Sequence, residues 1–143
     1  MRTKTLLTGL LAATLLVSTT SFSFSETQDD EPTPLQQAMG KMQGSQRAMR
    51  KMVGDPATNK AALLRACAMI QEGAHEGYSL APKAPADADA NEWRIGYQRS
   101  MLAVLDAALE CELAVHKGDA EAVTAAYKKM GEHKKSGHDA YQK

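Results

Sequence analysis

Met39 and His138 are the two residues whose types and placement carry the most chemistry. Met39 closes the run Leu35-Gln36-Gln37-Ala38-Met39, and His138 lies in Ser136-Gly137-His138-Asp139-Ala140-Tyr141 near the other end of the chain. A thioether is a soft sulfur donor and a neutral imidazole a strong nitrogen donor. Together they form an axial pair suited to a haem iron. The pair can act only if folding lays the start of one element beside the end of another.

Four segments with apolar residues at helical spacing supply that geometry, and none shows the two-residue alternation of a strand. The first is expected from about Pro34 to Val53. Its stripe of Leu35, Ala38, Met42, Met49 and Met52 falls on alternating three- and four-residue steps, with Ser45 in the one missing place. Pro34 suits a first helical position, Gly54 a stop, and Asp55-Pro56 the cap and first turn of the next segment. The second, expected over Pro56 to Leu80, carries Leu63, Cys67, Ile70, Ala74 and Gly77, and ends before the Pro- and Ala-rich stretch 81–86.

The third opens on a capping box, Asp89 with Glu92 three residues on. Its stripe is Trp93, Tyr97, Met101, Val104, Ala108, Cys111 and Val115. Lys117-Gly118-Asp119 stops it and caps the fourth, whose stripe is Ala120, Val123, Tyr127, Met130, Lys134, Gly137 and Tyr141. Four such seams joined by short breaks predict an all-α fold, an antiparallel up-down-up-down four-helix bundle over residues 34–143.

In that arrangement the first and fourth helices are antiparallel. Met39 lies about one turn from the start of one, His138 about one turn from the end of the other, each one step off its seam. Gly137 costs ~1 kcal/mol relative to Ala inside a helix. Space for a flat macrocycle beside the helix accounts for it; fraying near the C-terminus accounts for it equally.

The segment before the helices reads as an export signal over residues 1–25. Arg2 and Lys4 form its basic start and Leu6 to Val17 a short apolar run. Small residues follow, and cleavage is expected after Ser25; a retained N-terminal anchor is the alternative. Residues 26–33 are polar and acidic, a loose leader. The expected location is the periplasm. The full chain has 17 basic and 17 acidic residues, so loss of Arg2 and Lys4 leaves a slight acidic excess. With no basic patch and few aromatics, nucleic acid is not an expected partner. Stable membrane insertion is not expected after cleavage.

At this point the motifs match a family. Leu35-x-x-x-Met39 in the first turn of the first helix, and His138 near the C-terminus with aromatic Tyr141 three residues later, resemble the soluble cytochrome b-562 family. The Gly-bearing basic turn Lys117-Gly118-Asp119 fits the same pattern. The likeness covers roughly Leu35 to Lys143. It implies a noncovalent haem b, Met39 and His138 as iron ligands, and one-electron transfer to a redox partner that the sequence does not name. Two cysteines and a Met-rich first helix depart from the best-known member.

No Cys-x-x-Cys-His motif is present, so covalent haem attachment is not expected. With both axial positions filled by protein no open site remains for substrate. No nucleophile–base arrangement or Gly-rich phosphate loop points to an enzyme. Leu35, Met42, Met130 and Tyr141 are expected to line the slot, with Lys134 or Lys135 toward the propionates. His75, His116 and His133 are expected at the surface.

Other readings stand beside this one. Methionine is a common filler of helical cores, and a C-terminal histidine often interacts only with the helix dipole. Met39, Met42, Met49 and Met52 on one side of the first helix would suit Cu(I), which soft sulfur selects. A bundle without cofactor is a third reading. Cys67 and Cys111 fall on neighbouring seams at nearly equal depth. They are read either as a disulfide, adding ~2–4 kcal/mol, or as two small buried hydrophobes.

Overall fold

The computed structural model describes residues 31–142. The expected export signal and the leader up to Asp30 lie outside the described residues. Those described form four helices and no strand: α1 Pro34–Met49, α2 Lys60–Tyr78, α3 Ala90–Lys117 and α4 Ala120–Tyr141. No helix among them is long and apolar enough to cross a membrane.

The helix ends follow local hydrogen-bond chemistry. Thr33 caps α1 in a reciprocal box: its Oγ1 accepts from Gln36 N at 3.2 Å while Thr33 N donates to Gln36 Oε1 at 2.8 Å. Pro34 takes the first helical position. Asp89 starts α3, its Oδ1 accepting from Asn91 N and Glu92 N, both at 2.9 Å. Gly118, at φ 71°, closes α3 in the left-handed region, and Asp119 N donates to Ala114 O at 3.1 Å. Asp119 Oδ1 then accepts from Ala122 N, opening α4.

The α1–α2 connection differs from expectation. α1 stops at Met49 rather than Val53, because Met49 O takes Met52 N at 2.8 Å and Val53 N at 3.1 Å in tight turns. Asp55 does act as a cap, receiving Thr58 N on Oδ1, but for a separate turn. Asp55 O accepts from both the Asn59 side chain at 2.9 Å and Asn59 N at 3.2 Å, closing that turn, and α2 begins only at Lys60. α2 also stops short of Leu80, at Tyr78, where Leu80 N bonds to Gly77 O.

Each helix packs along its neighbour in sequence: α1 on α2, α2 on α3, α3 on α4. Gly73 lets α1 and α2 approach closely. A Cβ there would stand 2.9 Å from Ala38 O and 2.7 Å from Met42 Cγ. The α2 seam of Leu63, Cys67, Ile70, Ala74 and Gly77 is wholly buried, as is the α3 seam from Tyr97 to Val115. Burial of these faces is the main source of helix stability.

Cross-helix polar contacts match residues in reversed order along neighbouring helices. Lys60 Nζ reaches His116 O, Gln71 bonds Glu112, and Tyr97 OH donates to Gly77 O at 3.0 Å. Lys41 spans to Glu72 and Glu76, both at 2.8 Å.

α1 and α4 are the exception, with little direct packing between them. The residues explain it. Past Met130 the α4 seam offers Lys134 and Gly137 in place of bulky apolar side chains, and α1 carries Ser45 and Gln46 opposite its own seam gap. The two helices stay apart and leave a cavity.

Candidate metal and cofactor site

The cavity between α1 and α4 has a volume of ≈ 290 Å³. That is about the lower end of the size range of small-molecule pockets. Ile70 of α2 and Tyr97, Met101 and Val104 of α3 form its inner wall, and Pro82 closes part of one side. All six residues singled out in the sequence, Met39, His138, Leu35, Met42, Met130 and Tyr141, line it. Met39 and His138 are both half-buried and reach the space from different helices.

Helical spacing brings these groups to one face. On α1, residues 35, 36, 39, 42, 43 and 46 line the space; on α4, residues 130, 133, 134, 137, 138 and 141 do so. Both sets advance by steps of one and three, the signature of a single helix face. α4 continues without a break through Gly137 to Tyr141. A Cβ at Gly137 would meet nothing within 4 Å, in keeping with open space there.

An aromatic cluster fixes the end of α4. Tyr141 packs edge-on against Trp93, with centroids 4.9 Å apart, and against Tyr97 at 5.6 Å. Trp93 Nε1 donates to Pro82 O at 2.9 Å, which ties the α2–α3 connection to the same corner. Burial pushes the Tyr97 hydroxyl above its ordinary pKa, so it stays a donor to Gly77 O.

Several expectations need correction. His133 is not a surface bystander: it is half-buried and lines the cavity. It lies three residues beyond Met130, on the same face, and that spacing was the signal for it. His75 and His116 are exposed. Lys134 borders the cavity, whereas Lys135 points away as an exposed residue. Of the four α1-region methionines, only Met39 and Met42 line the space. Met49 is fully buried elsewhere and Met52 lies beyond the helix. Met101 and Met130 supply the other two thioethers of the lining.

Cys67 and Cys111 are free thiols, both fully buried and neighbours across α2 and α3. The disulfide expected as one alternative is therefore not formed; the two sit in the core as small buried side chains. The contact with Cys111, together with burial, holds the Cys67 thiol far above its ordinary pKa.

The lining is largely apolar and brings soft sulfur and imidazole donors into one space. It combines four thioethers, two imidazoles and the aliphatic or aromatic side chains of Leu35, Ile70, Pro82, Tyr97, Val104 and Tyr141 with a polar edge that includes Gln43, Gln46 and Lys134. Comparisons with known protein families, with curated proteins and with solved structures find no match to this chain.

Proposed function

We propose that this chain is an exported electron-transfer protein of the periplasm that holds one noncovalent haem b. In this reading the four helices run alternately up and down as one antiparallel bundle, and the reversed order of cross-helix contacts supports that topology. One observation carries the functional reading: Met39 and His138, the ligand pair picked out by residue type, line the same cavity from α1 and α4. The cytochrome b-562-like motifs around them add to it.

The division of labour among the residues follows from their chemistry. His138 supplies a neutral nitrogen and Met39 a thioether that favours the reduced metal. Leu35, Met42, Met130 and Tyr141 exclude water from the sides of the ligand, and Lys134 offers a cation at the rim. Haem iron supplies a one-electron couple when bound. Two protein ligands leave no coordination position for substrate, which favours transfer over catalysis.

The test is an absorption spectrum of purified protein after haem addition, oxidised and reduced. Sharp low-spin bands are expected for the wild type, and Met39→Ala and His138→Ala should each lose them. Unchanged stoichiometric binding in both variants would sink the ligand assignment. Copper is the second reading, favoured by four thioethers and two imidazoles around one cavity. Anaerobic titration with Cu(I), with and without haem, separates the two. A bundle that needs no cofactor would show no thermal shift with either ligand.

A further inference from the structure

α3 carries an apolar stripe on the side away from the core. Ile95, Leu102 and Leu109 recur every seventh residue and Leu113 follows four later, with exposures of 41%, 49%, 49% and 55%. Seven-residue spacing keeps side chains in line along a helix, as in a coiled-coil seam. Isolated exposed leucines are ordinary, whereas a row of three with a fourth beside it on one helix marks an interaction surface.

The charges beside the row indicate what covers it. Asp106, paired with Lys129, lies on one flank of the stripe; beside it on that flank Glu92, Arg99, Glu110 and Lys117 are exposed. They are symmetric about the point between Val104 and Leu105 in position and antisymmetric in sign: Glu92 mirrors Lys117, and Arg99 mirrors Glu110. A twofold axis there would lay a second α3 antiparallel on the first, with like flank against like flank. Arg99 then meets Glu110 of the second copy and Glu92 meets its Lys117, each contact occurring twice. Ile95 falls near Leu113 of the second copy, and Leu102 near its Leu109.

Among the described residues Glu92, Arg99 and Lys117 have no ion-pair partner within the chain. Glu110 binds Lys129 through Oε1 at 2.7 Å, leaving its second oxygen to Arg99 of the other copy. We propose that a second copy of this chain docks antiparallel on α3, making a homodimer through Ile95, Leu102, Leu109 and Leu113. The surface lies on the outside of α3, so the proposal stands independently of what the cavity binds.

Sedimentation equilibrium of the purified chain across a dilution series tests it, with a reversible monomer–dimer equilibrium expected. Leu102→Glu with Leu109→Glu should give monomer with unchanged helix content, because both side chains are half-exposed within one copy. Arg99→Glu should weaken association about tenfold, and adding Glu110→Arg should restore it. A monomeric wild type, or a dimer indifferent to the leucine substitutions, overturns the proposal. So does a chain that stays monomeric and uses this face only on lipid vesicles. A charge swap that fails to restore association overturns the antiparallel pairing.

Discussion

Gly96 lies directly against the hydroxyl of Tyr141: a Cβ at residue 96 would come within 2.5 Å of that oxygen. The contact joins α3 to the end of α4 at the cavity's aromatic corner, where Tyr141 also meets Trp93 and Tyr97. The obstacle to a methyl group is the tip of a flexible side chain, which can swing. Alanine also gains ~1 kcal/mol of helix propensity over glycine. Gly96→Ala is therefore expected to change stability by less than about 1 kcal/mol while shifting Trp93 fluorescence and loosening the cavity wall. An unchanged emission spectrum would show that Tyr141 is not held against Gly96.

Gly73 should behave differently, although it too is a helical glycine. Its missing Cβ faces the Ala38 carbonyl at 2.9 Å, and backbone cannot swing aside. Overpacking of this kind costs ~1–3 kcal/mol, which exceeds the propensity gain. Gly73→Ala should lower the urea midpoint clearly more than Gly96→Ala. It would also separate α1 from α2 at Met42, a cavity residue.

His133 and His138 share one cavity, and their substitutions distinguish the two ligand readings. With Met39 and His138 as axial ligands, His138→Ala removes the low-spin haem spectrum and His133→Ala retains it. A Cu(I) site built from the thioethers and both imidazoles should lose affinity in each variant. Parallel titrations with haem and Cu(I) read out both outcomes. Loss of the haem spectrum in His133→Ala alone would transfer the ligand role to that residue.

Much of this was legible because certain residues act locally. Asp89 and Gly118 bound α3 by themselves, one by its carboxylate and one by its left-handed backbone, and both ends of the helix fall where those residues predict. The stripes of α2 and α3 are buried almost to the residue, since a period near 3.6 leaves little freedom over so many turns. The α1–α2 link was less legible. Asp55 and Asn59 close a separate turn there through side-chain bonds, and no periodicity signals it. At the site, Met39 and His138 stood out by type. His133 was missed because a histidine among lysines reads as surface until the neighbouring helix is known to stand apart.

The two cysteines should be nearly silent toward thiol reagents in the folded protein. Both are fully buried, so burial disfavours thiolate and shuts out the reagent at each site, although the same contact that raises the Cys67 thiol lowers that of Cys111. Only thiolate attacks such reagents. Labelling with a chromogenic disulfide is expected to be slow at neutral pH and to reach two thiols promptly in denaturant. Fast labelling of the native protein would contradict the packing of α2 on α3. No reaction even after unfolding would mean that the pair is oxidised.

Lys41 links α1 to α2 through Glu72 and Glu76 and gives the fold a pH dependence of definite sign. The hydrogen bond from Lys41 depresses the Glu72 carboxyl below its ordinary 4.5, while the bonds to Glu72 and Glu76 raise the Lys41 ammonium above 10.5. A depressed carboxyl stabilises the fold above its unfolded value, and that contribution disappears as pH falls through the folded one. A raised ammonium stabilises below its unfolded value, and its contribution is lost as pH rises through the folded one. The pair therefore contributes across the range between the two groups and at neither extreme. Lys41→Met should lower the urea midpoint at neutral pH, with the gap from wild type narrowing below pH 4.5. Because the groups are exposed, added salt should narrow it too. A gap that is constant from acid to neutral pH would instead assign the loss to the packing of the lysine's aliphatic stem.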